Sequence, residues 1–255
     1  MLSQAKLKLI RSLDHKKSRR ESGLFVAEGP KVVGDLMAVM SPRLVVATET
    51  WLSGHDVKGA EAIEVSEAEL KKASFLQHPQ QVLALFPIPT ASADEGLETD
   101  AAKVQNRLCL ALDGVQDPGN LGTIIRIADW FGIDTLFCSH ETADAYSPKV
   151  VQATMGCLAR VRPRYVDLKA LITRLPENVP VYGTLLDGED IYAQQLSSYG
   201  LIVMGNEGNG ISQAIRPLIS HRLLIPNYPA GRTTTDSLNV AIATAITCAE
   251  FRRRG

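Results

Sequence analysis

Apolar positions recur at two spacings along this chain, and the points where the spacing changes divide it. At the start, Leu7, Ile10 and Leu13 alternate with Lys6, Lys8 and Arg11 at helical spacing, which predicts a helix over 3–13. Short apolar runs of strand length follow: LFVAEG (24–29), RLVVAT (43–48), AIEVS (62–66) and QVLALF (81–86). Helix-compatible stretches separate them. Pro30 suits the first turn of one, where a missing N–H costs nothing. Residues 1–88 thus read as a small α/β domain. The periodicity then lapses in a stretch rich in Ala, Ser, Thr, Asp and Glu with prolines at its start, which predicts a linker over 89–106.

A different rhythm begins at Leu108. Strand-like segments LCLALD, DTLFC, RVRPRYV, PVYGTLL, LIVMG and RLLIP alternate mostly with helices, one of them expected after LIVMG and a last one from about Ser237. Apolar strands alternating with helices imply a mainly parallel sheet covered on both faces. Such a sheet places ligands beyond the carboxyl ends of its strands. Residues 107–255 are therefore expected to form a second α/β domain that carries the chemistry.

Charge changes this picture only locally. With 27 Lys and Arg against 28 Asp and Glu, the net charge of −1 excludes binding of nucleic acid by bulk attraction. Yet Lys6, Lys8, Arg11, Lys16, Lys17, Arg19 and Arg20 crowd the first twenty residues against Asp14 alone, and Arg252, Arg253 and Arg254 close the chain. Cys109, Cys138, Cys157 and Cys248 form no CxxC pair, so they read as small buried hydrophobes. The histidines show no HExxH, and no metal site is expected. No apolar run is long enough to span a bilayer, and the N-terminus lacks a secretory pattern. The expected address is cytoplasmic, with no membrane partner.

Three stretches look chemical. In LDGVQDPGNLGTIIRIADWFG (112–132), a turn leads into a helix with Asn120 expected at its N-cap. Arg126 falls nearly opposite the apolar arc of Leu121, Ile124, Ile125 and Ala128. In LIVMGNEGNGIS (201–212), a strand enters a loop carrying Gly205, Gly208 and Gly210, where backbone can approach a ligand closely. Neither GK[ST] nor GxGxxG is present, and Glu207 ill suits a phosphate, so an uncharged or cationic ligand fits better. In RLLIPNYPAGRTTTDSLNVAIATAI (222–246), Asp236 or Ser237 is expected to cap a helix of small residues, with Asn239 beside it.

Taken in order, these stretches resemble the SpoU/TrmH class of the SPOUT RNA methyltransferases. The matching positions are Asp117, Pro118, Asn120, Gly122 and Arg126; then Gly205, Glu207, Gly208 and Gly210; then Ile225, Pro226, Ser237, Leu238, Asn239 and Val240. Residues 1–85 more weakly resemble the L30e-like substrate-binding domain that often precedes this catalytic domain. The resemblance implies a C-terminal α/β sheet threaded into a trefoil knot, and a homodimer with its active site near the subunit interface. It implies S-adenosylmethionine as cofactor, lined by Leu185, Met204, Gly205, Ile225 and Leu238. It assigns catalysis to Arg126, with Asn120 and Glu207 orienting it, and Ser237 and Asn239 supporting cofactor and target nucleotide. The partner is structured RNA, ribosomal in preference to transfer RNA, methylated on a ribose 2′-hydroxyl, and the basic N-terminal run becomes an expected RNA contact. The segment between Ile225 and Ser237 is longer than is usual in the family, so the pocket rim is expected to differ there. Two other classes stay open on the residues: a non-catalytic RNA-binding factor of the same fold, and a doubly wound nucleotide-binding enzyme, which would lack either phosphate fingerprint.

Overall fold

Helices and strands of the first ninety residues form where the apolar spacing places them. The computed structural model describes residues 1–90, 96–229, 232–233, 235 and 237–253. Ser3 caps α1 (Gln4–Ser12) by accepting from the Lys6 amide, and Ile10 and Leu13 are fully buried. There follow α2 (Lys16–Ser22), β1 (Leu24–Glu28), α3 (Pro30–Val39), β2 (Leu44–Ala47), α4 (Glu49–Leu52), β3 (Glu61–Glu64), α5 (Glu67–Ala73) and β4 (Val82–Pro87). Gly23 ends α2 at φ 66°, a left-handed turn that glycine adopts without steric cost. Ser66 and Glu69 form a capping box at the start of α5. The sheet runs β1-β4-β2-β3, with β4 antiparallel to both neighbours and β2 parallel to β3. Ile10 and Leu13 pack with Val26, Val46, Leu83 and Leu85 on one face of it.

The basic N-terminal run divides in two. Arg19 is 3% exposed; its Nε and Nη2 donate to Asp144 Oδ2 at 3.1 and 2.6 Å, and its Nη1 donates to the carbonyls of Leu13 and Asp14. Arg11 donates to the Ser74 carbonyl at 2.7 Å and lies over the Phe75 ring, while Lys6 pairs with Glu61. These three cations hold structure. Lys8, Lys16, Lys17 and Arg20 remain exposed.

Next come α6 (Leu97–Asn106), β5 (Leu108–Asp113), α7 (Pro118–Trp130) and β6 (Thr135–Cys138). The chain divides into two compact units, 1–90 with 144–159, and 91–143 with 160–255. A single boundary near 107 therefore does not describe it. Residues 144–159, including α8 (Pro148–Ala153), belong with the first unit: Tyr146 lies 5.0 Å from the Phe25 ring, and a Cβ on Gly156 would stand 2.3 Å from Asp35 Oδ2. Sequence adjacency hid this, because the ion pair and ring contact that hold the segment reach back over more than a hundred residues.

The expected linker is also partly helical. In α6, Ala101 and Val104 enter the core, and the 1% exposed Asp100 accepts from Arg164 Nη2 at 2.9 Å. Leu97, Ala101 and Val104 carry the i, i+4, i+7 spacing, too short a signal to stand out among polar neighbours. Ala91–Glu95 lie outside the described residues.

The second unit continues through β7 (Arg162–Tyr165), α9 (Leu168–Thr173), β8 (Val181–Asp190), β9 (Gly200–Gly205), β10 (His221–Leu224) and α10 (Val240–Arg253). Its strand order is β10-β8-β9-β5-β6-β7, and every neighbouring pair is parallel. Cys109, Ala111, Leu201 and Val203 pack with residues of α6 and α9, while the alternate positions Leu110, Leu112, Ile202 and Met204 are equally buried. Both faces are covered, as continuous apolar strands require. The helix expected after β9 is only a 3₁₀ turn, Arg216–Leu218, with Pro217 inside it. The four cysteines are buried and form no disulfide, and burial pushes the Cys109 and Cys248 thiols up to about 12 and that of Cys138 up as well. No helix among the described residues is long and apolar enough to cross a membrane.

Replacing Asp144 by Ala leaves the Arg19 charge buried without its carboxylate. Urea unfolding should then show a loss of about 3 kcal/mol, whereas Lys17→Ala on the exposed face of α2 should stay within about 0.5 kcal/mol of the parent.

Candidate active site

Parallel pairing puts the carboxyl ends of β5, β8, β9 and β10 along one edge of the sheet. There a cavity of about 530 Å³ opens, walled by Thr184–Asp187, Met204–Ile211, Arg216, Leu223–Ile225, Ser237, Leu238, Val240 and Ala243. Leu185, Met204, Gly205, Ile225 and Leu238, each expected to line a cofactor pocket, all contribute to this wall, together with Glu207 and Ser237.

The loop after β9 shapes the wall by folding back on itself. The backbones of Asn206 and Gly210 bond reciprocally at 2.9 Å, and Gly210 takes φ 66°. Gly205 has no room for a side chain, since a Cβ would stand 2.2 Å from the Gly210 carbonyl carbon and 2.3 Å from the Ile211 nitrogen. Asn206 organises the turn: its Oδ1 accepts from the amides of Gly208 and Asn209 at 2.9 and 3.1 Å, and its Nδ2 donates to the Gly114 carbonyl at 2.7 Å. Asp113 at the end of β5 accepts from the Ser212 amide at 2.7 Å. Sequence reasoning missed Asn206 and Asp113. The only signal for Asn206 was its residue type, since asparagine side chains mimic a backbone turn.

The rim joins the three motifs. Asp117, not Asn120, is the N-cap of α7, accepting from the Asn120 amide at 2.8 Å with Pro118 in the first turn. That frees the Asn120 side chain, whose Nδ2 donates to Glu207 Oε1 at 2.9 Å and whose Oδ1 accepts from Asn239 Nδ2 at 2.9 Å. Asn239 caps α10 as well: its Oδ1 accepts from the Ala241 and Ile242 amides at 2.9 and 3.3 Å. The cap expected at Asp236 or Ser237 therefore falls later. Asp236 lies outside the described residues, as do Ala230, Gly231 and Thr234 of the long 227–236 loop.

Arg126 stands apart from this group. It is exposed on α7, it is not part of the cavity wall, and among the described residues no hydrogen bond ties it to Asn120 or Glu207. Six residues separate Arg126 from Asn120, about 9 Å along the helix and a different face. On the far wall, desolvation works against ionisation of Asp187, but the Arg216 hydrogen bond (2.6 Å) and the charges of Arg216 and Arg222 hold its carboxyl below the ordinary range. Among the described residues no cluster of His, Cys, Asp or Glu could hold a metal ion. Apolar walls, loop amides and two carboxylates suit a neutral or cationic organic ligand.

Residues 107–249 match the SpoU rRNA Methylase family, and residues 4–84 match the MRM3-like substrate binding domain. This chain belongs to the SpoU family. It is 36% identical over 254 residues to the 23S rRNA (guanosine(2553)-2′-O)-methyltransferase RlmP of Bacillus subtilis, covering 94% of this chain and 93% of the relative. A TrmH-family structure from Porphyromonas gingivalis superposes with TM-score 0.87 at 41% identity, covering both chains fully. The AdoMet-bound rRNA methyltransferase from Sinorhizobium meliloti gives TM-score 0.86 at 31% identity, covering 100% of this chain and 97% of the other. Family membership thus rests on both units.

Gly205→Ala should force the loop off its own backbone and lower stability by about 2 kcal/mol in urea unfolding. Gly208→Ala, where the nearest atom is Asn206 Oδ1 at 3.6 Å, should cost well under half as much.

Proposed function

We propose that this chain is an S-adenosylmethionine-dependent methyltransferase acting on a ribose 2′-hydroxyl of structured RNA, ribosomal RNA in preference to transfer RNA. One observation carries the reading: a residue from each of three separated motifs, Asn120, Glu207 and Asn239, meets in a chain of 2.9 Å hydrogen bonds at the rim of a cavity walled by Met204, Gly205, Ile225 and Leu238. The name of the B. subtilis relative, a 23S rRNA 2′-O-methyltransferase, and the AdoMet-bound state of the S. meliloti structure support it.

The residues present fit that cofactor. Leu185, Met204, Ile225 and Leu238 would hold its apolar parts, the Gly205–Gly210 backbone would meet its polar edges, and Glu207 suits a ligand with positive charge. When bound, it supplies a methyl group activated by a sulfonium. The chain's own task is to align the ribose oxygen and to let its proton leave. We assign Arg126 to the acceptor. A guanidinium stays protonated, with a pKa above about 12, so it clamps the ribose and its phosphate while the proton passes to phosphate or water. Asn120 and Glu207 hold the loops in register, and Ser237 and Asn239 support cofactor and target nucleotide.

Because Arg126 lies outside the cavity of its own chain, the reading includes a homodimer in which Arg126 of one protomer serves the cavity of the other. Exposed Leu238 and Ile242 beside the rim, at 47% and 53%, offer apolar surface for that contact. The reading also includes a trefoil knot in the C-terminal part, which the placement of β9 between β5 and β8 accommodates. The first unit, matching a substrate-binding domain, presents Lys8, Lys16, Lys17 and Arg20 to RNA.

Mapping ribose methylations in rRNA from cells with and without the gene tests the activity; an unchanged map of both ribosomal and transfer RNA would overturn it. Arg126→Ala should lower transfer about a hundredfold or more while calorimetry shows unchanged S-adenosylmethionine affinity. Mixing it with a Gly205→Ala cavity variant should restore activity if the site is shared between protomers. Reversing Lys8, Lys16, Lys17 and Arg20 to Glu should weaken RNA binding and flatten its salt dependence, the log–log slope falling by about 0.8 for each phosphate that is no longer neutralised.

A further inference from the structure

We infer that a polar hollow beside the start of α3, within the first unit, seats one unpaired nucleobase of the substrate RNA. This rests on the RNA-methylation reading above and deepens it, naming which part of the first unit reads RNA and by what chemistry. The hollow has a volume of about 500 Å³ and lies between Pro30 at the start of α3, α5, and the segment 77–81 that leads into β4. Gln77, His78, Gln80 and Gln81 line it and are exposed, and among the described residues none of these four side chains has a hydrogen-bond partner. The segment that carries them is nevertheless held in one shape. Glu28, buried at the end of β1, accepts from the Ser74 hydroxyl, and from the Phe75 amide at 2.8 Å. At the other end the Thr48 amide donates to the Gln81 carbonyl at 2.9 Å, and the Val82 amide donates to that of Gln80. Gln81 takes φ 50°, a left-handed conformation that residues with a Cβ rarely adopt. Strain of this kind persists where the surroundings over-determine it, and it gathers at ligand sites.

The chemistry of the lining selects the occupant. An amide side chain donates and accepts at once, which matches the mixed edge of a nucleobase and is the pairing that glutamine makes with adenine. The His78 imidazole offers a stacking face, and the rings of Pro30 and Pro79 offer apolar surface against which a base can lie. Structured RNA presents such bases unstacked in its loops and bulges. A phosphate fits the hollow poorly. Glu67 and Lys71, one turn apart on α5, set opposite charges on its rim, and Pro30 lacks the amide that a helix start would turn toward an anion. A free metabolite fits poorly as well, since such sites are mostly apolar. The same composition disfavours a second copy: the centre of a homodimer contact is apolar and depleted in charge, whereas here Leu70 is the one large aliphatic side chain.

The test uses the full chain, an unmodified transcript of 23S rRNA, and the double variant Gln77→Ala/Gln80→Ala. Both substitutions are neutral, so RNA affinity should fall roughly tenfold at every salt concentration while the log–log salt slope stays as it was. KM for RNA should rise by the same factor, with kcat at saturating RNA, S-adenosylmethionine affinity and the urea midpoint unchanged. Probing the bound transcript with dimethyl sulfate and a carbodiimide should show an unpaired base that the parent shields and the variant leaves reactive. Parental affinity and an unaltered footprint for the variant overturn the subsite and leave the methylation reading standing. A flattened salt slope assigns the hollow to a phosphate, and a shift toward monomer in sedimentation with RNA affinity intact assigns it to a second copy; either overturns the base-reading role. Wild-type protein that neither binds nor methylates ribosomal or transfer RNA removes the underlying reading, and this inference with it.

Discussion

The close return of the chain after β9 is the interaction on which the rest of the site depends. Gly205 and Gly210 approach until no side-chain carbon could stand between them, and Asn206 locks the turn with three hydrogen bonds to backbone. One of these reaches Gly114, just beyond β5, so the loop is tied to the neighbouring strand end as well as to itself. Glu207 is carried at its tip. Only with the loop held this way does that carboxylate reach Asn120 on α7 and form a wall of the cavity at the same time.

Helices α7 and α10 transmit that arrangement. They lie parallel, fastened at their starts by the amide pair Asn120–Asn239 and at their ends by Arg252 on the carbonyls of Phe131 and Gly132. Moving the cap of α7 back to Asp117 matters here. A carboxylate suffices to satisfy the first free amide of the helix, and the amide side chain of Asn120, which both donates and accepts, is released to join two other motifs. Glu207 offers only acceptors, so the direction of the chain of bonds follows from the chemistry of its members.

The first unit shows a similar division of roles among its cations. A buried guanidinium needs several acceptors, and Arg19 finds them in Asp144 and the carbonyls that close α1. The result draws residues 144–159 into a unit otherwise made from the first ninety. It also removes Arg19, with Arg11 and Lys6, from the charge that a basic run offers to a polyanion. Lys8, Lys16, Lys17 and Arg20 stay exposed, with Lys17 3.8 Å from Glu21.

The local order of hydrophobic and polar residues determined most of the elements: the strand runs at 24–29, 43–48, 81–86 and 108–113, the helix at Leu7–Leu13, and the parallel second sheet follow from periodicity, because burial of one face or two is written into spacing. Residue type and order also named Asn120, Glu207, Asn239 and the cavity-lining set, since those side chains recur in one family pattern. What only the tertiary structure decided was long-range. It placed 144–159 in the first unit, made α6 out of a polar stretch, replaced a helix after β9 by a 3₁₀ turn, and set Asn206 and Asp113 as the supports of the loop. All of these but the 3₁₀ turn rest on a partner distant in sequence, such as Arg164 for Asp100, Arg19 for Asp144 or Gly114 for Asn206. A hydrogen bond across such a separation leaves no periodic trace in the chain that makes it.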